Sequence, residues 1–89
     1  MEYVRTSVYL DEDDVEFLKE RGIVIAKLAN IVAEEALKGN PPEENPSEVE
    51  SVKIVPVRVR KDLHEELRKK NLNLSALIRA RIRELKKVL

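Results

Sequence analysis

Apolar and polar residues alternate in two stretches of the chain, and each alternation gives way to helical spacing. The first alternating run is Val4-Arg5-Thr6-Ser7-Val8-Tyr9-Leu10, and the second is Lys53-Ile54-Val55-Pro56-Val57-Arg58-Val59. A period of two, rich in β-branched residues, predicts a half-buried strand. The pattern then predicts a short helix near 12–21 in the first half and near 62–70 in the second. A break at Arg21-Gly22-Ile23, or at Asn71-Leu72, precedes a longer helix that runs to about Lys38 or about Lys87. Asp11 is placed to cap the first helix, with acids behind it at the positive end of the helix dipole, and Gly39 is placed to end the second.

The segments 1–38 and 53–89 share one plan, and the stretch between them, 39–52, does not. It holds Gly39-Asn40-Pro41-Pro42-Glu43-Glu44-Asn45-Pro46-Ser47, with three of the four prolines. Proline lacks an amide donor and disfavours helix in the preceding residue, so an extended, solvated linker is expected. One offset of 49 positions relates the halves: Val8 to Val57, Asp13 to Asp62, Leu18 to Leu67, Leu28 to Leu77 and Glu35 to Glu84. Segments under about 40 residues rarely fold alone, and an isolated two-stranded ribbon is marginal. The halves are therefore expected to share a core. Their strands would pair antiparallel and four helices would pack on one face, as one folded domain of mostly helical α+β class.

With 89 residues, the chain suits one small domain. The absence of cysteine excludes disulfides and thiolate metal sites. No apolar run reaches the roughly 18 residues that a membrane span needs, and Met1 to Arg5 lack a secretory pattern. A soluble cytoplasmic protein is expected, in the host cytoplasm if viral, with no membrane association. The lack of glutamine and the density of Lys and Glu hint at a hot environment. The net charge of zero hides a division. Residues 1–38 carry 5 basic against 9 acidic side chains, residues 39–51 add 4 acids, and residues 52–89 carry 12 basic against 4 acidic. Such a division points to an acidic partner engaged mainly by the second half.

The run from Val57 to Leu67, Val-Arg-Val-Arg-Lys-Asp-Leu-His-Glu-Glu-Leu, followed by Asn71-Leu72-Asn73-Leu74-Ser75-Ala76-Leu77-Ile78-Arg79, resembles the ribbon-helix-helix family of MetJ, Arc and CopG-like repressors. The likeness covers about 35 residues here and a looser stretch of the first half. It implies a ribbon of two strands entering the major groove of double-stranded DNA, with a phosphate held at the start of the second helix. Members are usually homodimers. Two such units in tandem would make an intramolecular pseudo-dimer. The first half departs from the pattern: Asp14 stands where the second half has Leu63, Val24 stands for Asn73, and Ala26 for Ser75. That puts phosphate contact by the first half in question.

Alternation places Val4, Thr6, Val8 and Leu10, with Lys53, Val55, Val57 and Val59, mostly on the core face. Arg5, Ser7 and Tyr9, with Ile54, Pro56 and Arg58, face away. On the family's plan these six meet base edges. The arginines suit guanine, Ser7 and Tyr9 offer hydroxyls, and Ile54 and Pro56 suit thymine methyls. The plain alternative is an exposed strand with solvated side chains. Pro56 belongs to the ribbon only if the outward residues are not the ladder donors; otherwise the strand begins at Val57. Arg60, Lys61, Lys69, Asn73, Leu74 and Ser75 are the expected phosphate contacts, with Asn73 also an N-cap whose helix start leaves free amides. Arg79 and Arg83 lie four apart on the second helix, placed to flank the phosphates; a solvated helix face is the plainer reading and is preferred for Arg83. His64 lacks metal-binding neighbours at convincing spacing, and the acids at 11–14 lack the glycine and glutamate of a calcium loop. No catalytic constellation and no cofactor motif is visible, so the expectation is a non-enzymatic, sequence-specific transcriptional regulator, with self-association of two or more chains on DNA left open. The rivals are a protein-binding module working through the acidic half, an antitoxin, and a sequence-indifferent architectural DNA binder. An antitoxin of this family carries a further toxin-wrapping tail, whereas the last helix here is expected to run nearly to Leu89.

Overall fold

The computed structural model describes residues 2–39 and 51–88, so the expected linker falls largely outside the described residues. The order is β1 (Tyr3–Asp11), α1 (Glu12–Glu20), α2 (Ile25–Leu37), β2 (Val52–Arg60), α3 (Lys61–Lys69) and α4 (Leu74–Val88). The fold is small, α+β and mostly helical, with one two-stranded antiparallel sheet and four helices. Each element of the second set starts 49 positions after its counterpart in the first: 3 and 52, 12 and 61, 25 and 74.

The strands pair with each other within the chain, and Ser7 opposite Pro56 is the middle pair of the register. The ladder continues into both helices, because the Glu12 amide donates to the Ser51 carbonyl at 3.0 Å and the Lys61 amide to the Glu2 carbonyl at 3.0 Å. One ribbon face is buried by helices. Val8, Leu10, Val57 and Val59 are at most 3% exposed and join Leu18, Leu28, Val32, Leu63, Leu67, Leu77, Ile78 and Ile82 in one core. Lys53 shares the inner face by parity, opposite Leu10, but lies near the ribbon end and is exposed. Its charge therefore stays in water.

Local chemistry accounts for the helix boundaries. The Asp11 carboxylate accepts from the Asp13 amide at 3.1 Å and starts α1, ahead of three acids in its first turn. α1 and α3 both end in the two-bond Schellman arrangement. Ile23 donates to the Leu18 carbonyl and Gly22 to that of Lys19; Leu72 donates to Leu67 and Asn71 to Arg68. The turn requires a left-handed residue, and Gly22 (φ +68°) and Asn71 (φ +56°) supply it. Gly39 ends α2 with φ +93°, as its position after the apolar pattern suggested. No helix among the described residues is long and apolar enough to cross a membrane.

The division of charge has a consequence inside the fold. Bases of the second half meet acids of the first: Arg81 with Glu35, Lys86 with Asp14 at 2.7 Å, Lys61 with Glu2 at 3.2 Å and Arg60 with Glu34 at 3.9 Å. Part of the excess on each side is thus spent between the halves. The hydrogen bond from the Arg81 guanidinium, aided by the charges of Arg81 and Lys38, holds the Glu35 carboxyl below its ordinary range against the opposing effect of burial.

Candidate nucleic-acid interface

The outer ribbon face is uncovered, and alternation decides what it shows. Tyr3, Arg5, Ser7 and Tyr9 of β1, with Ile54, Pro56 and Arg58 of β2, are all exposed. Tyr9 keeps 48% and Ile54 60% of its surface in water. All six residues expected to meet bases therefore share one open face. The register sets their neighbours: Arg5 is opposite Arg58, Ser7 opposite Pro56, and Tyr9 opposite Ile54. Like charges directly opposed on a sheet oppose folding. Among the described residues neither guanidinium makes an ion pair.

Pro56 lies inside β2, opposite Ser7. This requires the main-chain groups of the outward residues to point away from the ladder. Side chains of α2 and α4 meet those edge groups. On the β2 edge, Asn30 Nδ2 donates to the Arg58 carbonyl at 3.0 Å and to Ala26 O at 2.8 Å, while the Arg60 amide donates to Asn30 Oδ1 at 2.9 Å. On the β1 edge, the Tyr9 amide donates to Ser75 Oγ at 3.0 Å and Arg79 donates to the Tyr9 carbonyl at 2.6 Å. Tyr9 and Arg58 are 49 apart, as are Asn30 and Arg79, so different side chains serve corresponding positions. An exposed two-stranded ribbon has two unpaired edges, and these contacts tie each to the helices.

The expected phosphate contacts are distributed around this face. Asn73 Oδ1 accepts from the Ala76 amide at 3.3 Å and caps α4. The first-turn amides of Leu74 and Ser75 make no hydrogen bond among the described residues, whereas the Ser75 side chain is buried and its hydroxyl oxygen is committed to Tyr9. Tyr9, His64, Arg68, Asn73, Leu74 and Ser75 line a hollow of about 280 Å³ beside the ribbon. On the other side, Arg5, Ala26, Pro56, Val57 and Arg58 line one of about 350 Å³. There the start of α2 has no side-chain cap, and Val24 is 62% exposed. Arg60 forms a two-point pair with Asp62, at 3.2 and 2.7 Å, which raises its own pKa and lowers that of Asp62. Lys61 pairs with Glu2 and Lys69 with Glu66 at 3.5 Å. These pairs are exposed, so exchanging a carboxylate for a phosphate costs little. Arg79, read from the sequence only as a flanking or solvated cation, is an edge clamp. Asn30 was not singled out, since a mid-helix asparagine gives no local sign of a partner 28 residues away.

Comparison with protein-family models, with curated proteins and with solved structures finds no match for this chain.

Proposed function

We propose that the chain is a sequence-specific double-stranded DNA-binding protein of ribbon-helix-helix type, in which two tandem motifs form an intramolecular pseudo-dimer. The constant offset of 49 supports the pseudo-dimer. It relates the strands, all four helix starts and the two left-handed turn residues, and it maps Ser7 onto Pro56, the two residues paired at the ribbon centre. In such an arrangement a two-fold axis passes through that pair.

The observation that carries the DNA reading is the Arg5–Arg58 pair on the open face. Two opposed guanidiniums, neither paired with a carboxylate among the described residues, oppose folding, and a bound anionic, hydrogen-bond-accepting surface relieves them. The O6 and N7 of guanine offer such acceptors in the major groove, which admits a two-stranded ribbon. The first-turn amides of α4, with Arg68 lining the same hollow, are placed to take a phosphate at the Tyr9 end, and Arg60 and Lys61 to take one at the far end of β2, with Lys69 a further phosphate contact. A transcriptional regulator fits this division, with affinity from phosphate contacts and specificity from the outward strand residues.

Selection from a random pool of duplex DNA tests the proposal. The expected result is a defined short motif. Recovery of unrelated sequences at similar affinity would instead favour an architectural binder, and no retention of duplex at low salt would favour a protein-binding module.

A further inference from the structure

From the register we infer that the DNA site has a guanine arm and a thymine arm, divided along the ribbon rather than between its two strands. This inference rests on the DNA-binding reading. Alternation fixes which side chains face outward but leaves open which of them stand side by side. A slide of the strands by four residues would keep every face and bring Arg5 opposite Ile54, setting the two arginines four residues apart along the ribbon. The observed pairing instead puts both arginines at one end and Tyr9 with Ile54 at the other. Ser7 and Pro56, a small hydroxyl and a ring without a donor, separate them.

Length and chemistry then assign the bases. From Arg5 to Tyr9 the strand rises about 14 Å, on the order of four base-pair steps. The cationic end presents two guanidiniums, each suited to the O6 and N7 acceptors of a guanine. The other end presents an exposed Ile54 and the Tyr9 ring, suited to the C5-methyl of thymine, with the Tyr9 hydroxyl available to an adjacent acceptor. Each end is tied to the helices by different groups. Asn30 holds Arg58 O and Arg60 N, while Ser75 and Arg79 hold Tyr9 N and O. Pinning of this kind limits sliding and holds the two chemistries at their separate ends.

The test is duplex selection with the full chain, the double variant R5A/R58A and the double variant Y9A/I54A, each checked for a native circular-dichroism spectrum. The full chain is expected to select a non-palindromic site with G·C pairs in one arm and A·T pairs in the other. R5A/R58A should lose the guanine preference and keep the thymine arm, and Y9A/I54A should do the reverse. Restoring Arg58 alone to R5A/R58A should recover roughly 5- to 150-fold in affinity for the selected site. Guanines in both arms, a palindromic minimal site, or a guanine preference that survives R5A/R58A overturns the inference while leaving DNA binding intact. Failure of the full chain to retain any duplex overturns the underlying reading, and the inference with it.

Discussion

Replacing Asn30 with alanine removes one side chain that meets two edge groups of β2 at once. The bond to Ala26 O is local to α2 and contributes little, because that carbonyl retains its helical acceptor role. The two ribbon bonds matter more. Arg58 O lies at an exposed position where water substitutes, so its loss costs about 0.5 kcal/mol, the low end for a hydrogen bond. The Arg60 amide is partly buried, and leaving it unpartnered costs about 1–3 kcal/mol. Alanine regains up to about 0.7 kcal/mol of helix propensity. The net loss is therefore about 1–3 kcal/mol, which for a domain of this size lowers Tm by roughly 5–20 °C. Urea unfolding followed by circular dichroism measures it, with an unchanged m-value showing that the native and unfolded ensembles are otherwise intact. Asn30→Asp retains an acceptor for Arg60 N but opposes the Arg58 and Ala26 carbonyls with a charge, so it should destabilise as well. A change below about 0.3 kcal/mol in Asn30→Ala would show that the ribbon edge does not depend on this clamp and would refute the reasoning.

Other substitutions probe the turns, the ion pairs and the interface. Gly22→Ala should cost about 1–2 kcal/mol in thermal unfolding, because φ is +68° with open space around the missing Cβ; strain rather than collision is the cause. Asn71→Gly at the corresponding turn should be nearly neutral by the same measurement. The depressed carboxyls of Glu35 and Asp62 contribute stability that is fully present above their unfolded pKa values and is lost as pH falls through the lower folded ones. Unfolding midpoints should therefore drop below about pH 4, and the drop should be shallower in Glu35→Gln. Lys61→Ala and Lys69→Ala should weaken binding to all duplexes alike and reduce the salt slope by about 1 each, read by fluorescence anisotropy across salt concentrations. A loss confined to the selected site would remove these lysines from the phosphate contacts.

Local chemistry was enough to read the elements from the chain. Strand alternation, the Asp11 and Asn73 caps, and Gly22 and Gly39 at helix ends all act within a few residues of where they are seen, and the offset of 49 repeats the order of elements in the second half. Parity also determined which strand residues face out, since a side chain cannot change faces without a one-residue slip. Three things were decided only by the tertiary structure. The register brought Arg5 opposite Arg58, because slides by even numbers preserve parity and packing must choose among them. The edge contacts of Asn30, Ser75 and Arg79 join residues 28 to 70 positions apart, and nothing local to those side chains signals a partner. Ser75 shows the difference most directly. Its place near the start of α4 suggests a hydroxyl that donates to an anion; the helix also packs close enough to β1 for the hydroxyl oxygen to accept from the Tyr9 amide, a role that no local pattern signals. A charge count along the chain likewise suggested only an outside partner for the basic half. Docking of the halves spends part of that charge on Glu2, Asp14, Glu34 and Glu35, because the fold brings oppositely charged surfaces together before any ligand arrives.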